Sequence, residues 1–168
     1  GPSGFSGVGP NVANAPDLFA GTYDLSVIGP TGYSSSDWVC VGGTQDDADS
    51  ITLALGQVAT CTITNYDISP TLWVFKTFIN DDGGKITDPD EFGLMVDGSI
   101  VLHDAVNTFD VGDHTVSEVG HNRYEAGVWG GDCDADGNIS LALAQVATCT
   151  ITNDDIYLGE VIFKDGFE

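Results

Sequence analysis

The stretch QVATCTITN at residues 57–65 returns without change at residues 145–153, 88 positions later. Its β-branched residues and period-two alternation read as a strand. In an extended strand alternate side chains share a face. Ala147, Cys149, Ile151 and Asn153 therefore project one way, and Val146, Thr148, Thr150 and Thr152 the other. The apolar set belongs to the core, and it carries an asparagine inward with it.

Working outward, "GTYDLSVIGPTGY" from Gly21 aligns with "GDHTVSEVGHNRY" from Gly112, which sets Val27 where Glu118 stands. The same register extended backward pairs Gly7 with Gly98 and Gly1 with Phe92. On this alignment residues 70–91, with the strand-like "TLWVFKTFIN", have no counterpart in the first repeat. Other β-rich runs, "HTVSEV" and "ISLALAQ", are separated by the turn formers "NDDGG", "TDPDE", "VDGS" and "DADGN". Helix signals are nearly absent. The pattern predicts an all-β chain of two tandem Ig-like antiparallel β-sandwiches: residues 1–69, lacking a first strand; residues 70–155, complete; and a tail, 156–168.

Composition bounds the function. Four Lys plus Arg stand against 26 Asp plus Glu among 168 residues, a formal net charge of −22 that argues against nucleic acid and anionic membrane surfaces as partners. The 42% apolar and 10% aromatic content suffices to build cores. No apolar run approaches a membrane span. "GPSGFSGVGP" shows no signal peptide, so the chain reads as a processed, soluble form; Gly1-Pro2 is also compatible with a protease scar.

Four cysteines, two per repeat and without a Cys-x-x-Cys pair, point to disulfides in an oxidising compartment. Cys61 and Cys149 hold identical places in the repeated stretch. The expected pairs are Cys40 with Cys61 and Cys133 with Cys149, loops worth on the order of 3 kcal/mol each in the chain-entropy model.

On "TLWVFKTFI" Leu72, Val74, Lys76 and Phe78 share a face, which puts a lysine among apolar neighbours; Val116 and Glu118 share one too. A lysine in "WVFK", a glutamate closing "GDHTVSE" and an asparagine closing "CTITN" resemble the prealbumin-like, collagen-adhesin B-type (SpaA-like) repeat domains of bacterial surface proteins and pilins. "GTYDLSVIGPTGY" is similar to that family's strand and Gly-Pro-x-Gly-Tyr turn. The resemblance implies an intramolecular isopeptide bond from Lys76 to Asn153, with Glu118 as acid-base group. Burial favours the neutral forms of lysine and carboxylic acid, so the pair can exchange a proton and free an amine nucleophile. The alternative is an ordinary Lys76–Glu118 ion pair.

The first repeat keeps Asn65 but has Val27 in the acid's place and no upstream lysine. The tail "EVIFKDG", with Val161, Ile162, Phe163 and Lys164, resembles "LWVFKTF" and lays Lys164 on Lys76. A neighbouring subunit's tail in the first repeat would bring Lys164 towards Asn65 without the family's acid, with Glu160 on the same strand face as Lys164 and able to partner it. The expectation is a non-covalent, strand-exchanged joint between copies of the chain, head-to-tail and open-ended. A tail folded into its own first repeat, giving a monomer, is the alternative.

Weaker signals remain. Asp132, Asp134 and Asp136 before Gly137 have the spacing that opens a calcium loop, without the later glutamate; calcium is the one cofactor entertained. His103, His114 and His121 do not cluster, and no Gly-x-Ser-x-Gly elbow or phosphate loop occurs. The functional expectation is an extracellular structural subunit of a bacterial surface filament, a homo-oligomer and not an enzyme beyond self-directed isopeptide formation. The alternatives are a fragment of a repetitive cell-surface adhesin and, more remotely, a saccharide-binding module using Trp129 and Tyr124.

Overall fold

The computed structural model describes residues 7, 8, 12, 13, 18–157 and 159. The chain divides into two compact units, Gly1–Ile68 and Ser69–Glu168. Unit 1 holds β1 (Gly21–Asp24), β2 (Tyr33–Ser35), β3 (Val39–Val41), β4 (Ser50–Leu53), β5 (Thr60–Thr62) and β6 (Asn65–Asp67). Unit 2 holds β7 (Thr71–Ile79), β8 (Leu94–Val96), β9 (Ser99–Ile100), β10 (Asn107–Thr108) and β11 (Gly112–Glu118). After them come β12 (Tyr124–Ala126), β13 (Gly130–Gly131), β14 (Asn138–Leu141) and β15 (Val146–Asp155). One 3-10 turn, Pro89–Phe92, interrupts the strands; Asp88 caps its start and Gly93, at φ 63°, its end.

Unit 2 is a sandwich of two sheets. One has the order β10-β7-β15-β12 with β13 also on β15, and the other the order β14-β11-β8-β9. Leu72, Val74, Ala147 and Cys149 from the first meet Leu94, Val96, Val116 and Leu141 from the second in a single apolar cluster. The alternation expected of β15 is present: Ala147, Cys149, Ile151, Asn153 and Asp155 are buried, with exposed or half-buried residues between them. One expectation needs correction, because the longest ladder is parallel rather than antiparallel: β15 runs beside β7 from Val146↔Thr71 to Asp154↔Ile79. A parallel pair requires a long crossover, and everything between β7 and β15 supplies one.

Glycine is required where the chain passes close to itself. Gly137 has φ 85°, and a Cβ there would lie 2.3 Å from the Val116 carbonyl oxygen, so the hairpin into β14 closes only on a bare backbone.

Unit 1 repeats the inner ladders of unit 2 in the same register. Gly21↔Leu53 matches Gly112↔Leu141, and Tyr33↔Asp67 matches Tyr124↔Asp155. Val39↔Thr62 matches Gly130↔Thr150. Its ladders remain separate two-stranded pairs, β1-β4, β2-β6 and β3-β5. Among the described residues, no strand lies on the edge of β5 and β6 that corresponds to the β7 side of β15. Of the hydrophobic side chains described there, only Ile51 is buried.

Candidate functional site: a buried lysine, glutamate and asparagine

β7 brings Lys76 inward after Leu72 and Val74, and the residue is 1% exposed. β15 brings Asn153 to the same interior, fully buried, two pairs along the parallel ladder from the Lys76↔Ile151 pair. Glu118 ends β11 in the facing sheet. Its two oxygens divide between the others: Lys76 Nζ donates to Oε2 at 2.6 Å, and Asn153 Nδ2 donates to Oε1 at 2.6 Å. The three residues singled out from the sequence thus form one hydrogen-bonded group bridging the two sheets.

Its surroundings are apolar. The ring of Phe92, itself fully buried, lies 4.3 Å from Lys76 Nζ, close enough for a cation–π contact. Burial pushes the Lys76 ammonium below the ordinary lysine range, opposed in part by its hydrogen bond and attraction to Glu118. The Asn153 carbonyl oxygen, Oδ1, is buried and has no hydrogen-bond partner among the described residues. An unpartnered buried oxygen is costly. It sits where a donor could stabilise charge on the amide.

Two supports were not legible in the sequence. His103 Nδ1 accepts the backbone N–H of Lys76 at 3.0 Å and its ring meets Phe75 edge-on, fastening β7 beside the site. Nothing in the spacing of His103 signalled this, because the contact crosses from a loop. Asp155, at the end of β15, accepts the backbone N–H groups of Asp81, Asp82 and Gly84. Burial acts to raise its pKa, but the amides of Asp82, Gly84 and Asp81 outweigh that and hold the carboxyl below its ordinary value. "NDDGG" is therefore a loop clamped by a carboxylate rather than a plain solvated turn.

The disulfides join Cys40 to Cys61 and Cys133 to Cys149, the pairs expected. Cys40 lies directly across from Cys61, whereas Cys133 reaches Cys149 from two residues past β13. The aspartates of "DCDADGN" serve their own loop. Asp134 Oδ1 accepts the amides of Asp136 and Asn138, and Asp132 Oδ2 accepts that of Thr148, with no shared ligand cluster. Among the described residues the one grouping of such side chains near enough to share an ion is Asp81, Asp154 and Asp155, and both Asp155 oxygens already accept backbone N–H groups. Tyr124 is 7% exposed and donates to Asn80, and Trp129 packs on the core, so neither forms an open saccharide platform. No described helix is long and apolar enough to cross a membrane.

In unit 1 Asn65 is exposed and its Oδ1 accepts from Ser35 Oγ at 2.9 Å. Val27, in the acid's place, is 40% exposed. Val161, Ile162, Phe163 and Lys164, the segment expected to be donated, lie outside the described residues, as does Glu160.

A family model described as a prealbumin-like fold domain matches residues 1–63 and again residues 67–151. No curated protein and no solved structure matches the chain.

Proposed function

The chain belongs to the prealbumin-like fold domain family, and from that premise we propose that it is an extracellular structural subunit of a bacterial surface filament, joined head-to-tail to other copies of itself. Such a subunit is a pilin- or adhesin-type module; its two disulfides suit an oxidising exterior. The observation that carries the proposal is the contrast between the two closing strands. In unit 2 the edge of β15 is covered by β7 over nine residue pairs, while the matching edge in unit 1 is bare among the described residues. A bare edge presents unpaired backbone groups and apolar surface, and a donated strand satisfies both. The tail "EVIFKDG" carries the matching pattern.

Deleting residues 156–168 tests this. Loss of filaments in electron micrographs, with unit 2 still folded, is the expected result; filaments that persist without the tail overturn the reading.

Within unit 2 the chemistry is self-directed. Passage of the Lys76 proton to Glu118 turns the ion pair into a neutral amine and a neutral acid. The Lys76 nitrogen then attacks the Asn153 Cγ, and the protonated Glu118 donates to the carbonyl oxygen, which a half-turn of the amide brings to Oε1. Once the C–N bond has formed, the attacking nitrogen gives a proton to the Glu118 carboxylate, which passes it to Nδ2; the Asn153 Cγ–Nδ2 bond then breaks, ammonia leaves, and the hydroxyl proton returns to Glu118 as the carbonyl reforms. The intact mass of the reduced chain is expected to fall short of the sequence mass by one ammonia. A full mass would leave only the ion pair.

A further inference from the structure

Resting on the filament reading, the two closing strands can be compared position by position. β7 lies on β15 with Val74 opposite Cys149, Lys76 opposite Ile151 and Phe78 opposite Asn153. The counterparts of Cys149, Ile151 and Asn153 in unit 1 are Cys61, Ile63 and Asn65. All three are buried in unit 2; in unit 1 Cys61 and Ile63 are half-buried and Asn65 is exposed. β15 runs unbroken, yet its twin is interrupted between Thr62 and Asn65. That break is expected of a strand with one edge unpaired.

The spacing of the next lysine is also the same. Lys76 follows Asn65 by eleven positions, and Lys164 follows Asn153 by eleven, each after a phenylalanine. The same length of chain therefore separates closing strand and lysine in both repeats. We propose that residues 161–164 of one copy dock parallel to β5 and β6 of a second copy with Lys164 opposite Ile63, and that this joint is a cross-link site lacking its carboxylate.

Lys164 and Asn65 would then stand as Lys76 and Asn153 do, a nucleophile and an amide on neighbouring strands. The missing part is the group that takes the lysine's proton and protonates the departing nitrogen. The shared β1 and β11 register assigns its place to Val27, six residues past Gly21 as Glu118 is six past Gly112. With valine there, the carboxylate that serves Lys76 has no counterpart, and the joint stays non-covalent. With glutamate there, Lys164 Nζ attacks Asn65 Cγ, the Cγ–Nδ2 bond breaks, and one ammonia leaves per joint.

The test is the full-length Val27→Glu variant beside the wild type. After boiling in detergent and reductant, the expected result is a ladder of covalent multimers from Val27→Glu and monomers from wild type. Mass spectrometry should find the Lys164–Asn65 linkage one ammonia short. Adding Asn65→Ala or Lys164→Ala should return the ladder to monomer. Filaments of Val27→Glu without a ladder, or a linkage at another asparagine, overturn this inference and leave the filament reading standing. Failure of the wild type to assemble sinks the filament reading itself. Should Val27→Glu not fold, wild-type filaments decide: Lys164 is expected to lose its reactivity with an amine-acetylating reagent on assembly, and an equally reactive Lys164 overturns the register.

Discussion

At the scale of single residues, the molecule turns on Glu118. Among the described residues it is the one side chain that accepts hydrogen bonds from both Lys76 and Asn153, and it is nearly as buried as they are, with its side chain 7% exposed. Replacing one partner of a buried ion pair leaves a charge without compensation, at a cost of about 3–5 kcal/mol. Glu118→Gln should therefore abolish the ammonia loss and lower the stability of unit 2 by at least that order in denaturant titration, because the Lys76–Asn153 bond is lost along with the carboxylate. A variant that still loses ammonia would remove Glu118 from the chemistry. Lys76 and Asn153 were legible because strand alternation carries a polar residue inward wherever its neighbours two positions away are apolar. Phe92 was not. Its place over the lysine depends on a 3-10 turn sixteen residues further along, and no local pattern reports such a contact.

At the scale of elements, turns are tied to strands by side chains. Asp97, at φ 50° in the turn between β8 and β9, meets His114 of β11: Oδ2 lies 2.7 Å from Nδ1, while Nε2 lies 2.9 Å from the Asp110 carbonyl oxygen. Both neighbours are acceptors, so only the doubly protonated ring satisfies both. The hydrogen bond to Asp97 raises the pKa of His114 above 6.5, against a smaller opposing effect of burial. The same bond, aided by the Thr115 amide, lowers that of Asp97 below 3.8. The stabilisation is thus complete below the unfolded histidine's pKa and is lost as pH rises through the folded one. On the acid side it is present above the unfolded aspartate's pKa and fades as pH falls through the folded one. The melting temperature of unit 2 should fall from mildly acidic to mildly alkaline pH, and His114→Gln should flatten that slope; equal slopes would show that the pair adds nothing. The strands themselves were readable from period-two patterns. The parallel pairing of β7 with β15 was not, since neighbours 75 positions apart leave no mark on either strand's own alternation.

At the scale of the whole molecule, a net charge of −22 makes copies of the chain repel one another. Assembly should therefore be slow at low ionic strength and faster near 0.15 M salt, where the screening length is about 8 Å. Light scattering across a salt series measures this, and a rate that falls with salt would show that opposite charges draw the joint together. The sequence by itself determined the β class, the two-fold repetition and the cysteine pairs, because these rest on alternation and on identical stretches that any register must respect. Only the tertiary structure decided that β7 covers β15 as a parallel partner, that Glu118 gives one oxygen to lysine and the other to asparagine, and that Asp155 gathers a glycine-rich loop. Those are contacts between distant segments, set by how strands pack and cross, and local sequence carries no record of them.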